Sequence, residues 1–253
     1  MTWELYDALI DGIAEDAVAD KIICGTSSTI VRSGDTIGLA ATLEDTWRPL
    51  LQPGKKPGMP LRELAQCIKS WELTEASIGL AAINAWYNDK ERVRALGHEI
   101  ADRAHTEDRN NDPFITMQRD IKGKIVTVIG HFPYIDQLFA PICDLRVIEK
   151  FNPKENDYTD FAADYLLPES DYVFISSYTI AEKSLPRYLE LSRNAVVTMV
   201  GPATTLAPIF KDYGVNNLAG FVIRDAEMAE TIALTSSGNM HKTGQKVNIK
   251  FDS

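Results

Sequence analysis

From residue 124 onward, short aliphatic runs alternate with helix-like segments, and no other feature constrains the fold of this chain as tightly. "KIVTVIG", "LRVIEK", "DYVFISS", "AVVTMVG" and "LAGFVI" read as strands. Between them, "YIDQLFAPI", "YTDFAADYLL", "EKSLPRYLELS" and "TLAPIFKDY" read as helices. A last helix, "AEMAETIALTSS", precedes a polar tail. Strands that are apolar along nearly their whole length belong to a parallel sheet covered on both faces. Right-handed crossovers then give a doubly wound, Rossmann-like domain.

The first hundred residues follow another pattern. Trp3, Tyr6, Leu9, Ile10, Ile13 and Val18 recur at helical spacing and predict an amphipathic helix over 3–18. "KIICGTSSTIVRSGDTIGLAATL" predicts short strands with a hairpin turn at Ser33-Gly34-Asp35. A loop with Pro49, Pro53, Pro57 and Pro60 leads to two helices, "LRELAQCIKSW" and "TEASIGLAAINAWYN", the second with Thr74 as an N-cap. Residues 88–112 are highly charged and predict an exposed helix, then a boundary near 110. The expected organisation is an α+β unit over 1–110 and a Rossmann-like domain over 111–253.

Composition removes several function classes. A net charge of −10 argues against sequence-independent nucleic-acid binding, which needs cations along the phosphates. No apolar run has the length of a membrane span, and the acidic N-terminal stretch is unlike a secretion signal, so a cytoplasmic chain is expected. Cys24, Cys67 and Cys143 are widely spaced and predict reduced, mostly buried thiols. The histidines His98, His105, His131 and His241 lack metal-site spacing, so no protein-built metal centre is expected. His98 and His105, seven apart, read as parts of a solvated helix face. Neither charge nor patterning selects between monomer and oligomer.

In a doubly wound sheet, ligands bind beyond the carboxyl ends of the strands. That rule selects Gly130, His131 and Phe132 after the first strand and Glu149 after the second. It adds Ser176 and Ser177 after the third, and Gly201 and Pro202 after the fourth. Glu149 lies 19 residues beyond Gly130 (149 − 130), where dinucleotide folds place the acid that holds a ribose. The glycine-rich fingerprint is absent, because Pro133 and Asp136 stand where glycines belong, so a pyrophosphate has no seat. His131 is the candidate general acid or base, with a helix-capping role as the structural alternative. Thr179, Thr204 and Thr205 read as helix N-caps or as the lining of a polar pocket. Asn84, inside an apolar helix, is either a satisfied core amide or a group facing the cleft between the units. Glu44, Asp45 and Thr46 read as a surface loop beside that cleft.

Several segments together resemble one family. "GLAATL" (38–43), "SIGLAAINAW" (77–86), "VIGHFP" (128–133), "VIEKFNP" (147–153), "DYLLPESDYVFISS" (164–177) and "VGPATTLAPIFKDYGVNNLAG" (200–220) occur in the order found in DUF364 proteins. These carry a DUF4213-type N-terminal region and a heavy-metal chelation label. The resemblance implies an enolase N-terminal-like α+β unit ahead of the Rossmann-like domain. It implies a small heterocyclic ligand of pterin, flavin or siderophore type, or its metal complex, held between the units. Carried over, Gly130, His131 and Phe132 fall in the G-H-F-P segment, Asn84 in A-I-N-A and Glu149 in V-I-E. The "ISSYTIAEKSL" segment departs from the family pattern. The function expected is an enzyme that condenses, hydrolyses or modifies such a metabolite. There His131 moves protons, Glu149, Asn84, Ser176 and Ser177 contact the ligand, and Gly201, Pro202 and Thr204 line it where the backbone amides beyond Gly201 face an anionic or carbonyl group. The alternatives are a carrier without chemistry and an adenosylmethionine-dependent methyltransferase. No cofactor is identified by these motifs.

Overall fold

The computed structural model describes residues 3–44, 48–101 and 111–251. Asp45, Thr46, His105 and the expected boundary near 110 lie outside the described residues. Helix α1 (Glu4–Asp11) stops at Gly12, shorter than the apolar spacing to Val18 predicts. Strands β1 (Lys21–Cys24), β2 (Ser28–Ser33) and β3 (Thr36–Ala41) form an antiparallel meander. Its β2–β3 turn is Gly34-Asp35, because Ser33 pairs with Thr36. Helix α2 (Leu61–Ala65) runs into a 3-10 turn, and α3 (Leu73–Tyr87) is buried almost all round, from Glu75 to Ala85. Its N-cap is Glu72, whose carboxylate accepts from the Thr74 and Glu75 amides. Thr74 instead donates its hydroxyl to the Leu43 carbonyl, so it is not the cap. Helix α4 (Lys90–Ala95) is all that forms of the long charged helix within the described residues, and His98 lies beyond its end.

Strand period two divides the small sheet cleanly. Val31 and Ala40 face the main core with α3, while Ile23, Ile30, Ile37 and Leu39 face the other way. That second face is covered from far along the chain, by α10 (Ala226–Thr235), through Ala233. Polar contacts frame the seam. Lys21 and Arg32 both reach Glu230, and Thr26 meets Ser236.

The second sheet holds β4 (Ile125–Ile129), β5 (Asp144–Ile148), β6 (Tyr172–Ser176), β7 (Val196–Val200), β8 (Val215–Ile223) and β9 (Gly244–Lys250). The order is β5-β4-β6-β7-β8-β9, with the first five parallel and β9 antiparallel to β8. This is an α+β unit followed by a Rossmann-like domain. The strand order switches between β4 and β6, with β5 added on one side of β4 and β6 on the other, which puts the ligand crevice of such a sheet above Gly130 and Ser176.

The crossovers are short: α5 (Pro113–Thr116), α6 (Ile135–Phe139), α7 (Ala163–Leu166), α8 (Tyr178–Glu182) and α9 (Leu185–Leu191). Three readings change. The polar tail is strand β9, whose Val247 and Ile249 alternate with polar residues and enter the core. Residues 178–182 are helical, with Lys183 in the left-handed conformation separating α8 from α9. The segment 205–213 is helical only as a 3-10 stretch, Pro208–Tyr213. Residues 203–206 before it are taken out of helix by hydrogen bonds to α3, described next.

Candidate functional site

Beyond β4 the chain turns at Gly130, whose φ of +95° is open to glycine and costly for other residues. A Cβ there would also press the Ser176 side chain at 3.1 Å. The next residue, His131, is turned toward the polar edge of the sheet and not into the core. Its Nδ1 lies 2.9 Å from Asp157 and its Nε2 lies 3.1 Å from Asp136. The Lys154 ammonium also reaches Nε2, and lies 3.2 Å from Asp136. His131 and Asp157 side chains are 7% and 3% exposed, whereas Asp136 and Lys154 are open to solvent. A buried carboxylate on Nδ1 fixes that nitrogen as the N–H donor and leaves the Nε2 lone pair on the outer side.

Glu149 does a different task from the one its spacing suggests. Its carboxylate accepts from the His131 and Phe151 amides, both at 2.7 Å, and from Asn152 at 3.3 Å. Burial alone would raise its pKa, but these amides outweigh that and hold it below the usual carboxylate value. With its oxygens engaged, Glu149 ties the β4 turn to the β5 loop and is not free to grip a ribose or ring N–H. Phe132 is likewise engaged. Its ring packs on Phe114 at 5.0 Å between centroids, within the cluster that includes Phe139 and Phe174, so its face is not offered to a ligand.

Along the β6 end, Ser176 accepts weakly from the Tyr178 amide at 3.4 Å and Thr179 donates to the Ser176 carbonyl at 2.7 Å. Tyr178 is half-exposed, and burial together with Glu149 and Glu182 raises its pKa. Glu182, one turn further along α8, has a side chain 7% exposed with the Lys150 ammonium 4.0 Å away. Its other partner is the Ser184 hydroxyl at 3.5 Å. Burial is the main cause that raises the Glu182 pKa, with Lys150 opposing it. His131, Glu149, Tyr178 and Glu182 thus form one continuous band across the carboxyl ends of β4, β5 and β6. Exposed Tyr134, three residues after His131, sits at φ +69°, a strained setting for a tyrosine.

Beyond β7, Gly201 has φ +124°, and a Cβ there would strike the Ser177 hydroxyl at 2.6 Å. Ser177 Oγ and Thr204 Oγ1 are buried without a hydrogen-bond partner in the protein, while Pro202 is partly exposed. Asn84 takes its structural alternative. It is wholly buried, donates to the Leu39 and Ala203 carbonyls at 2.8 and 2.9 Å, and accepts from the Thr205 hydroxyl. Asn88, one turn on, donates to the Thr204 carbonyl and accepts from the Leu206 amide, both at 2.9 Å. The expected cleft between the units is therefore closed over residues 203–206, and none of Thr179, Thr204 and Thr205 is a side-chain cap.

Sequence reasoning missed Asp157, Asp136, Lys154, Glu182 and Asn88. Only Asn88 left a readable signal, a second amide four residues after Asn84 on the same helix face. Among the described residues, no three His, Cys, Asp or Glu side chains converge as a metal cage. Cys67 and Cys143 are free thiols whose pKa burial raises, to about 12 and about 11. No helix among the described residues is long and apolar enough to cross a membrane.

Comparison with known proteins agrees with this architecture. Residues 112–250 match the DUF364 model and residues 6–87 the DUF4213 model, both described as "putative heavy-metal chelation". A crystal structure of a DUF364-family protein of unknown function from Desulfitobacterium hafniense is 44% identical. It covers 99% of each chain with a TM-score of 0.90. A second DUF364-family structure, from Pyrococcus horikoshii, shares the fold at 20% identity, covering 98% of each chain with a TM-score of 0.76. An uncharacterised protein of Methanocaldococcus jannaschii is 29% identical over 185 residues, 71% of this chain and 67% of its own length.

Proposed function

The chain belongs to the DUF364 family, and on that premise we propose that it binds a flat heterocyclic metabolite able to chelate a metal and moves protons on it through His131. The ligand lies along the band from His131 to Glu182. A single observation carries the reading: the Asp157–His131 pair, 2.9 Å apart, at the turn where a doubly wound sheet binds its ligands. Asp157 holds the ring and supports the charge that forms when Nε2 takes a proton. Lys154 and Asp136, both exposed, swing aside to admit the ligand. The Glu182 side chain, whose pKa burial raises, and the phenol of Tyr178 supply hydrogen-bond groups beside it. The reaction class is a proton transfer within a condensation, hydrolysis or related modification. A heavy metal enters as cargo of the small chelator, since the side chains do not form a cage for it.

A carrier without chemistry is the second reading. It is favoured by the Lys154 ammonium, held by Asp136 at 3.2 Å, which donates to Nε2 and closes its lone pair.

A thermal-shift screen tests both readings, using pterins, flavin precursors, catechol-type chelators, adenosylmethionine and NAD, each with and without iron, molybdate or nickel. A ligand of the folded state raises Tm as its concentration passes Kd. The expected result is a shift with a chelating heterocycle. In that case His131→Ala keeps the shift but loses about 100-fold or more in turnover, and Asp157→Asn loses turnover to a lesser degree. No turnover in any protein despite binding leaves the carrier, whereas turnover unaffected in His131→Ala removes His131 from the chemistry and overturns the proposal. A shift with adenosylmethionine or NAD alone replaces the chelator reading.

A further inference from the structure

A second concavity lies on the N-terminal unit and shares no residue with the band above. It has a volume of about 350 Å³ and sits between the segment 16–20, the β2–β3 turn and the end of α3. That volume falls within the range of small-molecule sites, roughly 300–1,000 Å³. Its lining carries both charges: Asp16 and Asp20 come from the segment 16–20, and Arg92 comes from α4.

Arg92 is held in place before any ligand arrives. Its guanidinium lies 3.3 Å over the Trp86 ring, and its Nη1 is 3.3 Å from Asp89. Asp89 is itself fixed, accepting from the Thr36 hydroxyl at 2.9 Å and from the Glu91 and Arg92 amides at 3.1 and 3.0 Å. Asp20, also on the lining, is oriented by accepting from the Gly34 amide at 2.6 Å. A guanidinium stacked on an aromatic ring has little freedom left to lose, and its outer edge matches a carboxylate in two-point contact. An anion alone meets the two aspartates, and a cation alone meets Arg92. A molecule bearing both charges satisfies both.

We propose that this cavity binds a small amino-carboxylate zwitterion, a free amino acid or dipeptide, with its carboxylate on Arg92 and its ammonium toward Asp16 and Asp20. Apolar contact comes from Ala17, Val18 and the Trp86 edge. The site is independent of the chelator reading, so either can fail alone.

Isothermal titration of the full chain tests it with the twenty common amino acids, a set of dipeptides, and acetate and methylammonium as single-charge controls. At least one zwitterion is expected to bind with Kd below about 1 mM, which corresponds to about −4 kcal/mol, while neither control binds. The amino acid and dipeptide arms identify which source fits. Asp16→Asn and Arg92→Lys should each weaken binding tenfold or more with unchanged circular dichroism. The lysine keeps the charge and fills similar space, so loss of folding is avoided. His131→Ala should bind as the wild type does. No heat from any zwitterion, acetate binding as tightly as the best zwitterion, or unchanged affinity in Asp16→Asn and Arg92→Lys overturns the proposal.

Discussion

Two glutamates close to the same sheet edge are pushed in opposite directions, and the difference is in what surrounds their oxygens. Glu149 is surrounded by backbone amides that favour its charge, whereas Glu182 is buried with only distant partners. For Glu182 the folded pKa is raised, so between its unfolded and folded values the native state holds the extra proton. Its contribution to stability is then fully present at acid pH and is lost as pH rises through the folded pKa. Glu182→Gln keeps the neutral shape at every pH. It should therefore raise Tm at neutral pH relative to the wild type and flatten the fall in stability as pH rises above the ordinary glutamate value. A lower Tm at pH 7 would refute this. His131 and Glu149 were findable from sequence because each follows a strand end. Asp157 was not, because its 26-residue separation from His131 closes only when the loop folds back beside β5.

The helix that most shapes the site edge is α3, and its role depends on two amides one turn apart. Asn84 and Asn88 hold the carbonyls of Ala203 and Thr204 and the amide of Leu206, so the chain after β7 is fixed without regular structure of its own. Removing either amide leaves buried polar groups unpaired, at about 2–3 kcal/mol per substitution. Asn84→Ala and Asn88→Ala should each lower the denaturation midpoint accordingly. Because both grip the same segment, the double variant should lose at least about 0.5 kcal/mol less than the sum; strict additivity would show the two bonds act separately. The same tertiary bonds explain why "TLAPIFKDY" reads as helix and is not fully one. Strand β9 escaped notice for another reason: Val247 and Ile249 are its only large apolar residues, set among Gln245, Lys246, Asn248 and Lys250, so the alternation is too short to read. The strands β4 to β8 were legible because burial on both sheet faces writes itself as unbroken aliphatic runs.

At the scale of the molecule, the two sheets are interlocked, with α10 from the second half lying on the outer face of the first. Unfolding should accordingly be one cooperative transition, and a fragment of residues 1–101 should bind a hydrophobic dye and aggregate. Two separated calorimetric transitions would show that the halves stand alone. This seam also fixes a timetable for the newborn chain. The face bearing Ile23, Ile30, Ile37 and Leu39 leaves the ribosome early, yet the helix that covers it ends at Thr235. At roughly 5–20 residues per second, the intervening stretch takes on the order of 10–40 s to make. For that interval the nascent polypeptide carries an uncovered sticky sheet, which makes it a client for holding chaperones until the covering helix has been made.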